Sequence, residues 1–504
     1  MMIQERLQNL ISLTENTCIP WIRKNTKGQM EFVDPIDKVE ISAHYGATHM
    51  SVALLLNGHE QLGNALLDSV LERWESSAKL PGFHNDFNLF ALCVIAEHGS
   101  DEQKEKIRKI VLQTADSNHD TVNWLPMRWG VNRTRFNWTK DEKYRAACEE
   151  CRGKIAKATW SDGFIDDRLP TGLSFNLQYD VATVAVLQYL RIQGEEVNIK
   201  KELGALLAAE APDGDINYLG RGTNQIFAWG LWVYLLATAG QIEPLERALS
   251  FLEKSLPAAL RNNNLMLNDI PGEEKYMWWD YHYCSVYTAH LLMWLILARR
   301  DMGKGSVKPE EYRQGNSGVE IYRNEKVFAV LFKGRREYLA ERGPVLCALW
   351  TKKLGMILKG TFGPWQGAFG NKHMEYGVTL RNFTGVQRIQ ANMDHTRNRL
   401  LKKLKLCAEP ECGVRIKPVF CDIGVELKRD EINIIFQMEK RESITFNMAS
   451  VTTIEGISET FSLTIDGEEC KLKKKMKVLN QYGWRDIYES PIKNAIHAEL
   501  LVRG

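Results

Sequence analysis

The arginine of Gly220-Arg221-Gly222-Thr223-Asn224-Gln225 sits between two glycines, is followed by two amides, and leads directly into an apolar stretch beginning at Ile226. Glycine lets the backbone turn tightly and approach a ligand, and the planar guanidinium fork matches a carboxylate. An acidic sugar suits such a fork. Taken alone, the segment reads equally well as a turn whose arginine is satisfied by neighbouring carbonyls. Comparable polar or aromatic clusters precede apolar runs near His44, His84, Asn123, Phe175 and His282. Among the groups they add are the His84 and His282 imidazoles, the Tyr179 phenol and the Asn123 amide, groups that take, give or hold a proton beside a carboxylate. Tyr179 reads as well as a core residue with a satisfied hydroxyl, and Asn123 as a cap. Asn85, Trp124, Gln225, Asn224, Tyr281, Trp278 and Asp167 are the candidates for substrate contact.

Six such clusters, about 40 to 60 residues apart, call for helical hairpins as the repeating unit. The runs that follow them carry apolar residues at helical spacing and read as buried helices. Between them lie more polar helical stretches, 61–77, 101–115, 141–159 and 243–255, suited to an outer layer. An inner set of apolar helices inside an amphipathic set is an α/α toroid, and the starts of its inner helices gather around one cleft.

Composition sets limits. With 504 residues and 44% hydrophobic content the chain is long enough for two globular domains. Its 65 basic and 63 acidic residues leave a net charge of +2, so there is no global basic field and no support for nucleic-acid binding. An anion site must be local. No apolar run reaches membrane-spanning length, so no membrane partner is expected. The N-terminus lacks the pattern of a signal peptide, which makes the cytoplasm the expected location, or a secreted or periplasmic one if a signal has been removed. The ten cysteines are scattered in apolar contexts and read as reduced core thiols. Cys148 and Cys151 have metal-like spacing without a clear second ligand pair, and no metal site is assigned. Oligomeric state is left open.

After Arg300 the segment 301–318 is rich in glycine, proline and charge, as a linker is. Beyond it the periodicity becomes twofold, with turn signals between the runs and a hairpin candidate at Asp466-Gly467. The expected fold is α+β and multidomain: an incomplete (α/α) toroid over 1–305, a linker over 306–318, and an antiparallel β-sandwich over 319–504.

That order resembles the polysaccharide lyases of the chondroitin AC lyase, hyaluronate lyase and heparinase II/III groups. Asn123-Trp124 looks like their Asn-Trp element, Asp162-Gly163-Phe164-Ile165-Asp166-Asp167 is similar to their Asp-Gly-Ser-Phe-Ile-Gln-His segment, and Tyr179 and Gly220-Arg221 follow in the same order. The chain departs from the pattern at Asp166-Asp167, where the lyases carry histidine, so the imidazole has to come from elsewhere, from His84 or His282.

The resemblance implies β-elimination on a uronic-acid glycan, an anionic polysaccharide or oligosaccharide being the partner. The C5 proton is removed while charge develops on the neighbouring carboxylate, so a base and a neutraliser are both needed. Tyr179 would serve as base or acid, Arg221 or a histidine would favour its phenolate, and Asn123 and Gln225 would hold the substrate carboxyl group. No cofactor is required; a divalent cation in place of an arginine would be sought near Asp166. Trp124, Trp129, Trp138, Trp229, Trp278 and Trp279 lie close to the expected cleft and offer flat faces for sugars. The competing readings are hydrolysis by an acid and base drawn from Asp86, Asp162, Asp166, Asp167, Asp180 and Asp280, as in a toroid unsaturated glucuronyl hydrolase, and a glycan-binding or biosynthetic scaffold without turnover.

Overall fold

The structure is a computed structural model that describes residues 2–76, 84–96, 100–117, 119, 121–167, 169, 175–220, 225–261, 263, 283–333, 345–359, 377–382, 387–388, 414–415, 421–480 and 483–504. Twelve helices of the described residues alternate in two layers. The inner ones are α2 (Gly46–Leu56), α4 (Asn85–Ile95), α6 (Leu125–Thr139), α8 (Leu177–Ile192), α10 (Phe227–Ala239) and α12 (Cys284–Asp301). The outer ones are α1 (Ile3–Cys18), α3 (Glu60–Ser76), α5 (Asp101–Gln113), α7 (Glu142–Ala158), α9 (Lys200–Ala209) and α11 (Ile242–Arg261). Side-chain pattern decides the layer. Every residue of α10 is buried, whereas α11 buries only a stripe that includes Leu245, Ala248, Leu249, Leu252 and Leu256. Local signals set the ends: Ser100 and Gln103 form a capping box at the start of α5, and Gly240 closes α10 at φ 74°.

Each inner helix packs on the next, α2 on α4, then α6, α8, α10 and α12, and α12 packs back on α2. The expected incomplete toroid is corrected here, because the ring of inner helices closes. Closure depends on a close approach at Gly46, where a Cβ would lie 3.1 Å from the Val286 backbone. Gly230 does the same between α10 and α12, a Cβ there falling 2.8 Å from the Leu291 carbonyl oxygen. None of the described helices is long and apolar enough to cross a membrane.

Strands make up the C-terminal part. A meander of β3 (Val319–Arg323), β4 (Val327–Phe332), β5 (Val345–Thr351) and β6 (Gly355–Lys359) forms a four-stranded sheet. A larger antiparallel sheet is built around the 20-residue β11 (Glu431–Ser450), which pairs with β7 (Gly377–Asn382), β10 (Cys421–Leu427), β15 (Gly483–Glu489) and β16 (Lys493–Arg503). The hairpin expected at Asp466-Gly467 joins β12 (Phe461–Ile465) to β13 (Glu468–Cys470), with φ of 49° and 81°.

Strand β4 is buried on both faces, and its alternation sorts its side chains. Phe328, Val330 and Phe332 join the helical core, while Val327, Ala329 and Leu331 join a second core with Ile432, Phe436, Leu463 and Leu500 of the larger sheet. Phe332 stacks on Phe175 at 5.5 Å and Phe328 meets Tyr218 at 6.2 Å, so the small sheet lies against the segments that lead into α8 and α10.

Candidate functional site

The starts of the inner helices converge. His44, just before α2, lies 4.0 Å from the His84 ring that precedes α4, and 4.3 Å from Tyr283 that precedes α12. His84 is 5.7 Å from Trp124, and Trp124 is 5.2 Å from His119. Four helix starts therefore supply one half-buried group of imidazole, phenol and indole. Beneath it the stack continues through Tyr45 on Phe87 at 4.4 Å and Phe227 on His290 at 4.7 Å, with His49 5.1 Å from His290.

His84 faces the Ala43 carbonyl through Nδ1 at 3.3 Å. A carbonyl only accepts, so Nδ1 carries the hydrogen and the proton-accepting lone pair is on Nε2. Burial, reinforced by His119 and partly offset by the Ala43 contact, lowers the His84 pKa to about 4, and the ring is neutral at pH 7. Burial likewise pushes the Tyr45 phenol well above its ordinary value, with Tyr179 adding to it. Tyr179 lies on the first turn of α8, its ring 6.0 Å from Phe227.

Asn123 and Asp167 meet. The Asn123 side-chain amide donates to Asp167 Oδ1, its backbone N–H donates to the same oxygen at 3.2 Å, and Val122 N–H donates to the Asp167 carbonyl at 2.8 Å. The two residues act as a unit, with the amide oriented by a carboxylate. Asn85 and Gln225 are buried, and among the described residues their side-chain oxygens have no hydrogen-bond partner. Such orphans are costly in a finished core and common where a ligand completes the bonding.

The other aspartates divide by use. Asp86 is bound by Arg128 at 2.9 Å, and the same guanidinium donates to the Ser117 hydroxyl and the His119 carbonyl, so this carboxylate helps hold Ser117 and His119. Asp162 accepts from the Ser317 hydroxyl at 2.6 Å, and the Ser161 hydroxyl, donating to Asn316 Oδ1 nearby, closes the same latch on the linker. The Asp-Gly turn of the sequence motif is thus occupied in fastening residues 316–317. Asp180 is buried, accepts from Ile165 N–H at 3.2 Å, and has no partner for Oδ1 among the described residues. Burial drives its pKa well above the usual carboxylate value, the Ile165 N–H offsetting part of the rise and Glu202, Asp162 and Asp166 adding to it.

Of the residues expected to form the site, Asn123, Tyr179, His84, Asn85, Trp124, Gln225 and Asp167 lie at these helix starts. Arg221, Asn224, Trp278, Tyr281 and His282 lie outside the described residues, as do Trp279 and Asp280. Two tryptophans expected to face the cleft do not. Trp229 is fully buried and stacks on Phe251 of the outer helix α11 at 4.4 Å, and Trp129 donates to Glu195 at 3.0 Å. A helix start has an outward side as well as an inward one. His44 and Tyr283 were not among the expected site residues; their place one or two residues ahead of an apolar run was the available signal. Among the described residues no group of three His, Cys, Asp or Glu is arranged to hold a metal ion. Cys148 and Cys151 are buried, with burial pushing both thiols up to about 12, which suits inert core thiols.

No protein-family model and no curated protein matches the chain. Solved structures do match part of the chain. A polysaccharide lyase is 12% identical with a TM-score of 0.39, the match covering 58% of this chain and 98% of that one. A glycosyl hydrolase family 88 protein from Bacteroides vulgatus is 14% identical with a TM-score of 0.39, covering 59% and 98%. An inactive variant of an alpha-1,6-mannanase of Salegentibacter sp. HEL1_6, in complex with alpha-1,6-mannotriose, is 11% identical with a TM-score of 0.41, covering 59% and 99%. These three structures, a lyase, a glycosyl hydrolase and a mannanase, match at identities and TM-scores that leave the chemistry of this chain to be read from its own residues.

Proposed function

We propose that this protein is a carbohydrate-active enzyme that cleaves a uronic-acid-containing polysaccharide or oligosaccharide by β-elimination. It is organised as a toroid over 1–305, a linker over 306–318 and a β-sandwich over 319–504. The observation that carries the reading is the neutral His84 imidazole at the meeting point of the helix starts, 4.0 Å from His44 and 5.7 Å from the Trp124 ring. In this scheme His84 Nε2 takes the C5 proton. The electron pair left behind forms the C4–C5 double bond, the C4–O bond breaks, and the departing oxygen receives a proton from the Tyr179 hydroxyl. Trp124 stacks on the sugar face, and Asn85 and Gln225 bond its hydroxyls. Arg221 neutralises the carboxylate, and His282 stands as a second imidazole. Asn123, held by Asp167, orients the carboxyl group. No step requires a cofactor.

A specific observation favours a second reading, hydrolysis. Asp180 is a buried carboxyl group pushed well above the usual carboxylate value, with one oxygen unpartnered among the described residues, and Asp167 is fixed by three donors on the neighbouring segment, two to its carboxylate and one to its backbone carbonyl. An acid and a carboxylate in such contrasting environments are the parts that glycoside hydrolysis uses. Incubation with a panel of uronic-acid glycans separates the two: elimination makes a conjugated product that absorbs in the ultraviolet, and hydrolysis makes reducing ends without it.

A further inference from the structure

The small sheet reaches into the rim of the ring at one point. Lys359, the last residue of β6, is buried with its ammonium paired to Asp215 Oδ2 and lying 5.3 Å from the Phe251 ring. Asp215, also buried, uses its other oxygen: Oδ1 accepts from Asn217 N–H at 2.8 Å. Asn217 in turn donates from its side chain to the Gln225 carbonyl at 2.9 Å. The turn that carries Asp215 is tight, with Ala211 N–H bonded to the Asp215 carbonyl at 2.8 Å and Gly214 at φ 88° pressed against the Arg247 carbonyl. A connected chain of bonds thus runs from the sheet to Gln225, whose own side-chain oxygen is buried and has no partner among the described residues.

From this chain of contacts we infer that Lys359 is a positioning residue for the substrate site, acting through Asp215 and Asn217 to fix the backbone at Gln225. The inference rests on the reading above, in which Gln225 bonds the sugar. A salt bridge that merely fastens sheet to ring would need no further partners, whereas here both carboxylate oxygens are committed, one to the lysine and one to the segment leading to the site. Removing one partner of a buried pair leaves the other charge uncompensated, so Lys359→Met is paired with Lys359→Met/Asp215→Asn, which leaves no unpaired charge.

The test measures amide hydrogen exchange on the full chain, in peptides reporting residues 211–220 and 225–233, alongside KM and kcat on the glycan panel. In both variants the expected result is exchange at Asn217 and Gln225 faster by about tenfold or more, peptides from α8 and β4 unchanged, and KM raised several-fold with kcat nearly kept. Unchanged exchange at these residues overturns the inference, and so does a uniform rise that includes α8 and β4, which marks a plain loss of stability. The Gln225→Ala variant keeps the two claims apart. If it leaves KM unaltered, or if no glycan is turned over, the reading of the site fails while the exchange result still decides the role of Lys359.

Discussion

Asn123 and Asp167 are joined through one carboxylate oxygen, which receives both the backbone and the side-chain N–H of Asn123. Both residues are buried. The pair fastens the segment before α6 to the loop before α8, so neither side chain works alone. A double-mutant cycle on Asn123→Ala and Asp167→Ala is expected to give a coupling of about 1–3 kcal/mol in urea unfolding, the single changes being far from additive. Additive effects would mean that the two side chains do not share a bond in solution.

Asp162 has been drawn away from chemistry. Its carboxylate receives the Ser317 hydroxyl and backbone N–H, 155 residues along the chain. Asp162→Ala is expected to lower stability by about 1–3 kcal/mol and to leave kcat unchanged at a temperature where the variant is folded. Ser317→Ala should add little on top of it. A large fall in kcat with no loss of stability would return Asp162 to the list of reacting groups.

Ring closure makes a sharp contrast between two glycines. A Cβ at Gly230 would lie 2.8 Å from the Leu291 carbonyl oxygen and 2.9 Å from the Trp294 Cβ, while at Gly153, in the outer helix α7, it would meet nothing within 4 Å. Gly230→Ala should cost about 1–3 kcal/mol, and Gly153→Ala should stabilise by up to about 1 kcal/mol. Thermal unfolding of the two variants checks this, and a neutral Gly230→Ala would contradict the close packing of α10 on α12.

Acid should loosen the ring. Burial lowers the His49 pKa to about 4, the bond to the Tyr45 carbonyl offsetting part of it, and His290 is lowered well below its ordinary value by burial and by His49. Between the unfolded value near 6.5 and about 4 the unfolded chain holds the proton and the folded one does not, so stability falls as pH falls through that window. His49 alone accounts for about 3 kcal/mol of that loss. Urea midpoints at pH 7 and pH 4.5 are expected to differ less in His49→Phe than in the parent protein; an equal difference would remove His49 as a cause.

Much of the ring is legible in the sequence. The stretches 101–115, 141–159 and 243–255 carry a one-sided apolar stripe and became α5, α7 and α11, and the run after Gln225 is apolar all round and became the fully buried α10. Closure is not legible, because the contact of Gly46 with Val286 joins residues too distant in sequence for any periodicity to report. The site divides the same way. That His44, His84 and Trp124 stand at helix starts follows from where polar clusters meet apolar runs; that the two imidazoles touch follows from the order of helices around the ring. Trp229 shows the converse: its place near a helix start suggested the cleft, yet its rotation about α10 sends it to Phe251.

The reaction class is the central claim, and product absorbance reads it most directly. Purified protein is incubated with uronic-acid glycans and followed in the ultraviolet, with His84→Ala and Tyr179→Phe in parallel. Elimination by this site gives rising absorbance in the parent protein and a fall of about 10²–10⁴-fold in each variant. A flat ultraviolet trace with new reducing ends, lost in Asp180→Asn but kept in His84→Ala, would contradict it and assign the site to hydrolysis.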